Sequence, residues 1–189
     1  MKIGILGGTF NPVHIGHLIL AEEAREKLSL DKVIFIPANL PPHKDDVDIA
    51  DPQARLRMLK LAVKGNKHFT VSDIEIKRSG RSYTIDTIKA LKDKYKNDEL
   101  YFIIGSDLLK YLEGWKDLNE IFKIVKFIAA TRPGYPLENI PAYIKTLGIR
   151  AVDISGFSVR QCVKEGKSFR YLVPEAVFEY INKTKLYGK

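Results

Sequence analysis

The residues best suited to chemistry lie at 7–17, Gly7-Gly8-Thr9-Phe10-Asn11-Pro12-Val13-His14-Ile15-Gly16-His17. The glycine pair follows an apolar run, so it is expected to let the backbone turn tightly and approach a ligand closely. Pro12 sets a bend ahead of a helix expected to open near Gly16-His17, and a helix start offers free N–H groups and partial positive charge to phosphate. His14 and His17, three apart, share one side of that entrance and can face the same anion. The segment is neither a G-K-[ST] phosphate loop nor a G-x-G-x-x-G fingerprint. Each feature alone has an ordinary reading: a glycine pair is most often a turn, and two histidines at this spacing also suit zinc, although no third ligand stands out. At one strand end together, they point to a bound triphosphate.

Three further groups carry chemistry with less specificity. Ile154-Ser155-Gly156-Phe157-Ser158-Val159-Arg160 reads as a strand end opening a helix, with Ser155 as cap and the hydroxyls and Arg160 as donors to an anion. Pro41-Pro42-His43-Lys44 is a stiff basic loop after an apolar run, by itself a turn with an exposed lysine. Gly105, Asp107 and Trp115 follow another strand end; the acid serves equally as a helix cap, and a lone tryptophan is by default a packing residue. Glu22, Glu23, Asp73 and Glu75 form no convincing acid–base pair and read as solvated faces. No nucleophile–base arrangement stands out, Cys162 included.

These groups must be positioned by the elements around them. Short apolar runs at 2–6, 32–37, 100–105, 125–130 and 149–154 alternate with helical periodicity after residue 17 and at 55–63, 84–95 and 174–182. Asp51-Pro52 supplies the cap and first turn of the second helix. Continuous apolar strands separated by helices require a sheet covered on both faces. The expected fold is α/β: a Rossmann-like, open, doubly wound, mainly parallel sheet in one domain spanning 1–189. Ligands in such sheets sit beyond the strands' C-terminal ends, where the strand order reverses. The Pro- and Gly-rich stretch 132–141 is expected to be a surface loop.

The 189 residues carry a formal net charge of +8, with 45% apolar and 29% charged side chains, the balance of an ordinary globular domain with anionic partners. The lysines (Lys60, Lys77, Lys92, Lys116 and Lys183 among them) are scattered rather than gathered in a basic block, which favours a phosphate pocket over a nucleic-acid groove. No apolar run approaches the ~18–20 residues of a membrane span. There is no signal-peptide layout, and a single cysteine allows no internal disulfide, so a cytoplasmic protein without a membrane partner is expected.

The segment G-G-T-F-N-P-V-H-I-G-H resembles the signature of the nucleotidyltransferases that carry an H-x-G-H motif. It is most similar to their bacterial nicotinate mononucleotide adenylyltransferase branch. The resemblance continues in chain order through Pro41–Lys44, Ser82-Tyr83-Thr84-Ile85-Asp86-Thr87, Gly105-Ser106-Asp107, Trp115, Arg132-Pro133-Gly134, 154–160 and 166–174. It implies transfer of AMP from ATP to nicotinate mononucleotide by direct in-line attack, giving nicotinate adenine dinucleotide and pyrophosphate without a covalent intermediate. By the same resemblance Gly7, Gly8, Thr9, Phe10, His14, Gly16, His17, Gly105, Ser155, Ser158 and Arg160 bind ATP. His14, His17, Lys44 and Arg160 act on the reacting phosphates, with His43 a second candidate beside Lys44. Lys44, Thr84, Asp107, Trp115, Lys116 and Arg132 hold the mononucleotide: Trp115 stacks on the pyridine ring, N–H groups near Thr84 and Lys116 meet the carboxylate, and Asp107 takes a ribose. Mg2+ is expected to arrive with ATP, held by phosphates and water rather than a protein metal site. The family's second signature usually reads I-S-[ST]-[ST]-x-[IV]-R, and Gly156-Phe157 departs from it at both hydroxyl positions. Phosphopantetheine adenylyltransferase and cytidylyltransferase activities share the H-x-G-H turn. A non-catalytic nucleotide sensor or a nucleic-acid binder is the alternative from another class. Strictness for the acid over the amide substrate and the oligomeric state, a homo-oligomer included, are open at this level.

Overall fold

The computed structural model describes residues 1–40, 49–78, 80–138 and 140–188. In chain order the elements are β1 (Lys2–Gly8), α1 (Ile15–Leu28), β2 (Lys32–Pro37), α2 (Pro52–Ala62), β3 (Phe69–Val71), α3 (Ile74–Lys77), α4 (Thr84–Lys94) and β4 (Glu99–Gly105). A 3-10 helix over Ser106–Gly114 follows, then α5 (Leu118–Ile124), β5 (Lys126–Ala130), β6 (Ile144–Leu147), α6 (Gly156–Lys164) and α7 (Glu175–Thr184). The strands form one sheet in the order β3-β2-β1-β4-β5-β6, every neighbouring pair parallel.

The apolar runs explain why the sheet is buried on both sides. Successive side chains of a strand point to opposite faces. In β2, Val33 and Phe35 enter one core with Leu6, Ile103 and Ile128. Ile34 and Ile36 enter the other with Ile3, Ile5, Phe102 and Phe127. Helices α1, α2, α6 and α7 close the first core, and α4, α5 and the 3-10 helix close the second. No helix among the described residues is long and apolar enough to cross a membrane.

Two features depart from the sequence reading. The run 149–154 is not a strand; the sixth strand is Ile144–Leu147. Within 149–154 the Ala151 N–H donates to the Ile149 carbonyl and the Ile154 N–H to the Val152 carbonyl, three-residue γ-turns that take these groups away from a ladder. Its apolar side chains line a cavity instead. The glycine pair is not a turn either: Gly7 and Gly8 complete β1, in register with Ile36 and Pro37. The reversal comes after them, at Phe10, whose φ of 49° is left-handed.

Candidate active site

Strand order reverses between β1 and β4, whose crossover connections leave in opposite directions, so a crevice opens above their C-terminal ends. It holds a cavity of about 480 Å³, within the range of small-molecule sites. Of the residues singled out in the sequence, Gly7, Gly8, Thr9, Phe10, His14, Gly16, His17, Gly105, Asp107, Arg132, Ser155 and Arg160 line it.

His14 is the N-cap of α1, and His17 lies one turn on, their ring centroids 3.7 Å apart. The His14 backbone N–H donates to His17 Nδ1 at 3.1 Å. That bond makes Nδ1 the acceptor, so the neutral His17 ring carries its proton on Nε2 and donates from there. Gly16 makes room for this arrangement, because a Cβ there would lie 3.1 Å from His14 Nδ1. Burial, with the Arg132 charge second, pushes the His14 pKa down to about 3. Burial, then His14 and Arg132, holds His17 well below its usual range. Both rings are therefore neutral hydrogen-bonding groups at pH 7. The positive potential comes from the arginines and helix ends.

A second helix start faces the first. The Ser155 hydroxyl accepts the Ser158 N–H at 3.0 Å, and the Ser158 hydroxyl accepts the Ser155 N–H at 3.1 Å, a reciprocal cap. Ser158 is thus engaged in capping and is not among the cavity-lining residues. Arg160, one turn further, donates from Nη1 to the Asn11 carbonyl at 2.7 Å. Among the described residues its Nε, like His14 Nδ1, is buried without a hydrogen-bond partner. Gly156 is where the start of α6 meets the segment ahead of α1, since a Cβ there would stand 2.7 Å from the Asn11 carbonyl oxygen. A hydroxyl residue, usual in the resembling signature, does not fit this backbone. The exposed Phe157 ring lies beneath the Arg160 guanidinium instead.

Asp107 and Arg132 meet across the β4 and β5 ends in a 2.9 Å ion pair, and the Arg132 N–H donates to Ser106 Oγ at 3.0 Å. Thr84, Trp115 and Lys116 form a separate group. Thr84 opens α4, Lys116 Nζ sits 4.9 Å from the centre of the adjoining Tyr83 ring, and Trp115 packs edge-on against Phe102 and Phe127. None of the three lines the cavity, but Phe102 lies between Trp115 and β1, its ring edge 3.7 Å from where a Gly7 Cβ would be. His43 and Lys44 lie outside the described residues.

Several residues that matter here were given no site role from the sequence. Arg55, within the helix expected at 55–63, is fully buried and donates to four carbonyls. Nε meets Ala50 at 2.9 Å, Nη1 meets Thr9 at 2.8 Å and Ala38 at 2.6 Å, and Nη2 meets Asn39 at 3.0 Å. It binds the ends of β1 and β2 to the start of α2. Asn11 accepts the Ala50 N–H at 3.1 Å and the Tyr187 hydroxyl at 2.7 Å on its side-chain oxygen. Two carboxylates expected on solvated faces are buried. Glu23 pairs with Lys27 and Arg150, and Glu75 accepts the Thr87 hydroxyl at 2.7 Å, its pKa raised by burial.

Residues 5–162 match the family model described as Cytidylyltransferase-like. The chain is 45% identical to the probable nicotinate-nucleotide adenylyltransferase of Desulfitobacterium hafniense (strain Y51), over 98% of this chain and 95% of that one. It belongs to the nicotinate-nucleotide adenylyltransferase family. The nicotinate-nucleotide adenylyltransferase of Bacillus subtilis (strain 168) is 40% identical over 98% of both chains. Among solved structures, the Plasmodium falciparum nicotinic acid mononucleotide adenylyltransferase complexed with NaAD superposes with a TM-score of 0.83 at 19% identity, covering 98% of this chain and 97% of that one. At that identity the match speaks to the fold, and it fits the parallel sheet that this adenylyltransferase family member shows.

Proposed function

We propose that this protein transfers AMP from ATP to nicotinate mononucleotide, releasing pyrophosphate. The observation that carries the reading is the convergence of two helix starts, His14, His17, Arg132 and Arg160 on one cavity at the strand-order switch. The relatives' names supply the identity of the acceptor.

The attacking group in such a reaction is a phosphate monoester. Its second pKa is near ~6, so it is already an anion at neutral pH and needs placement rather than a base. Transfer then depends on alignment and on neutralising charge that builds on the α-phosphate and the leaving pyrophosphate. His17 Nε2–H and the His14 ring supply neutral donors to the α- and β-phosphates, Arg160 supplies a fixed cation, and the starts of α1 and α6 add N–H groups aligned with their dipoles. Arg132, steadied by Asp107, suits the acceptor's phosphate. Trp115 and the start of α4 would take the pyridine ring and its carboxylate, on the far side of Phe102 from the triphosphate.

Among the described residues no group of three or more His, Cys, Asp or Glu is placed to hold a metal ion. The donors around the cavity fit a cation that travels with the nucleotide: Asp107 is already paired to Arg132, and the remaining groups are hydrogen-bond donors. When bound with the nucleotide, Mg2+ would supply charge neutralisation to the phosphates.

The test is an assay of protein, ATP, Mg2+ and nicotinate mononucleotide for pyrophosphate and dinucleotide. Formation of both is expected, with nicotinamide mononucleotide compared alongside to set the selectivity. No product with any pyridine mononucleotide would refute the reading. His17→Ala is expected to lower kcat by two or more orders of magnitude, about 3 kcal/mol, with the fold intact.

A further inference from the structure

The geometry points to Tyr187 as a positioning residue of the triphosphate site: its hydroxyl fixes Asn11, and Asn11 in turn sets where Arg160 stands. This rests on the adenylyltransferase reading and extends it to a segment that bears none of the phosphate motifs.

Tyr187 follows α7 and lies 176 positions from Asn11 along the chain, yet its hydroxyl donates to Asn11 Oδ1 at 2.7 Å. The same oxygen accepts the Ala50 N–H. Two donors on one amide oxygen lock the side chain of a residue that is itself buried. The main-chain carbonyl of Asn11 is the acceptor of Arg160 Nη1, and the Gly156 backbone comes so near that carbonyl that a Cβ there would stand 2.7 Å from its oxygen. A shift of residue 11 therefore moves the arginine and the start of α6 together. The arginine's orphaned Nε shows that its orientation is not set by other protein partners at that atom, among the described residues.

Tyr187 is also held in an unfavourable conformation. Its φ of 65° is left-handed, a region that strains a non-glycine residue and persists only where surrounding contacts impose it. Here the contacts are the apolar packing of the ring against the first core and the hydroxyl's bond to Asn11. A tyrosine kept only for packing would need neither the strained backbone nor the aimed hydroxyl.

Tyr187→Phe removes the hydroxyl and leaves the ring. It is expected to raise KM and Kd for ATP about three- to tenfold, the loss of one hydrogen bond, with KM for the mononucleotide unchanged within about twofold. The decisive measurement is a double-mutant cycle on ATP affinity with Arg160→Met. If Tyr187 acts through Arg160, its effect shrinks to less than about twofold in that background. Phe178→Leu, which loosens α7 packing without touching the hydroxyl, controls for general destabilisation and is expected to lower the thermal midpoint with both KM values unchanged. An equal loss for both substrates, the same factor in both backgrounds, or an ATP-selective loss in the control would overturn the assignment to Tyr187. An unaltered protein that neither binds ATP nor turns over would instead overturn the functional reading, and the role of Tyr187 with it.

Discussion

Gly156→Ser restores a hydroxyl at a position where the resembling signature usually has one, and signature and structure predict opposite results. From the signature, the serine adds a phosphate contact. It also replaces glycine at the first position of α6, a change worth at most about 1 kcal/mol in helix propensity. In the structure, the new Cβ would lie 2.7 Å from the Asn11 oxygen and 3.2 Å from its carbonyl carbon. The nearer atom is backbone, so α6 or residue 11 must retreat by a few tenths of an ångström. Either motion stretches the 2.7 Å bond from Arg160, a charge-assisted bond of about 1.5–3 kcal/mol. The clash therefore outweighs the propensity gain, leaving a net loss of about 1–2 kcal/mol. For a chain of this size that lowers Tm by about 2–8 °C. Because the strain falls on the ATP side, KM for ATP should rise about tenfold with KM for the mononucleotide little changed. Thermal unfolding and steady-state kinetics on both substrates decide it. A raised Tm with unchanged or lower KM for ATP would show that the approach of α6 to Asn11 does not control the site.

Three other perturbations have defined outcomes. His14 has a pKa of about 3 in the fold against 6.5 in the unfolded chain. The unfolded state therefore binds more protons in that window: stability is full above about pH 6.5 and falls as pH drops toward 3, by up to about 1.4 kcal/mol per unit from this residue. Urea unfolding of the protein and of His14→Gln between about pH 4 and 7.5 should give curves whose difference has that slope; parallel curves would mean that His14 titrates normally. Arg55→Met strands four buried carbonyls and should cost at least about 3 kcal/mol in chemical denaturation, together with most of the turnover; a loss under about 1 kcal/mol would show that water replaces the guanidinium. Trp115→Leu should raise KM for the mononucleotide about two- to twelvefold, the worth of a lost stacking contact, while KM for ATP holds. Equal rises in both would assign the tryptophan to packing alone.

What the sequence revealed of the fold follows from where the physical signal is strong. The strands buried on both faces, β1, β2, β4 and β5, read as unbroken apolar runs. β3 has three residues, Phe69–Val71, too few for any period. β6 reads Ile-Lys-Thr-Leu, with exposed Lys145 and Thr146 between buried ends, as an edge strand permits, so the more apolar 149–154 drew the assignment instead. In the site, H-x-G-H and Ser155–Arg160 stand out because chemistry confines their residue types. Arg55, Asn11 and Tyr187 act through long-range hydrogen bonds to carbonyl and amide oxygens, which leave no local spacing to read. Nor does composition reveal that the two histidines are neutral; that depends on burial and on Arg132.

The bond between Asn11 and Tyr187 also orders events in time. During synthesis the turn that carries Asn11 emerges at the start, but its partners at 160 and 187 are made 149 and 176 residues later. Domains assemble as the chain appears, and contacts of high sequence separation close slowly because loop entropy must be met first. The proposed triphosphate site is therefore expected to be among the last features to mature. A nascent chain that already displays H-x-G-H should remain unable to hold the nucleotide until α7 and Tyr187 have docked. Proteolytic loss of that distal segment should silence the enzyme with every recognisable motif still in place.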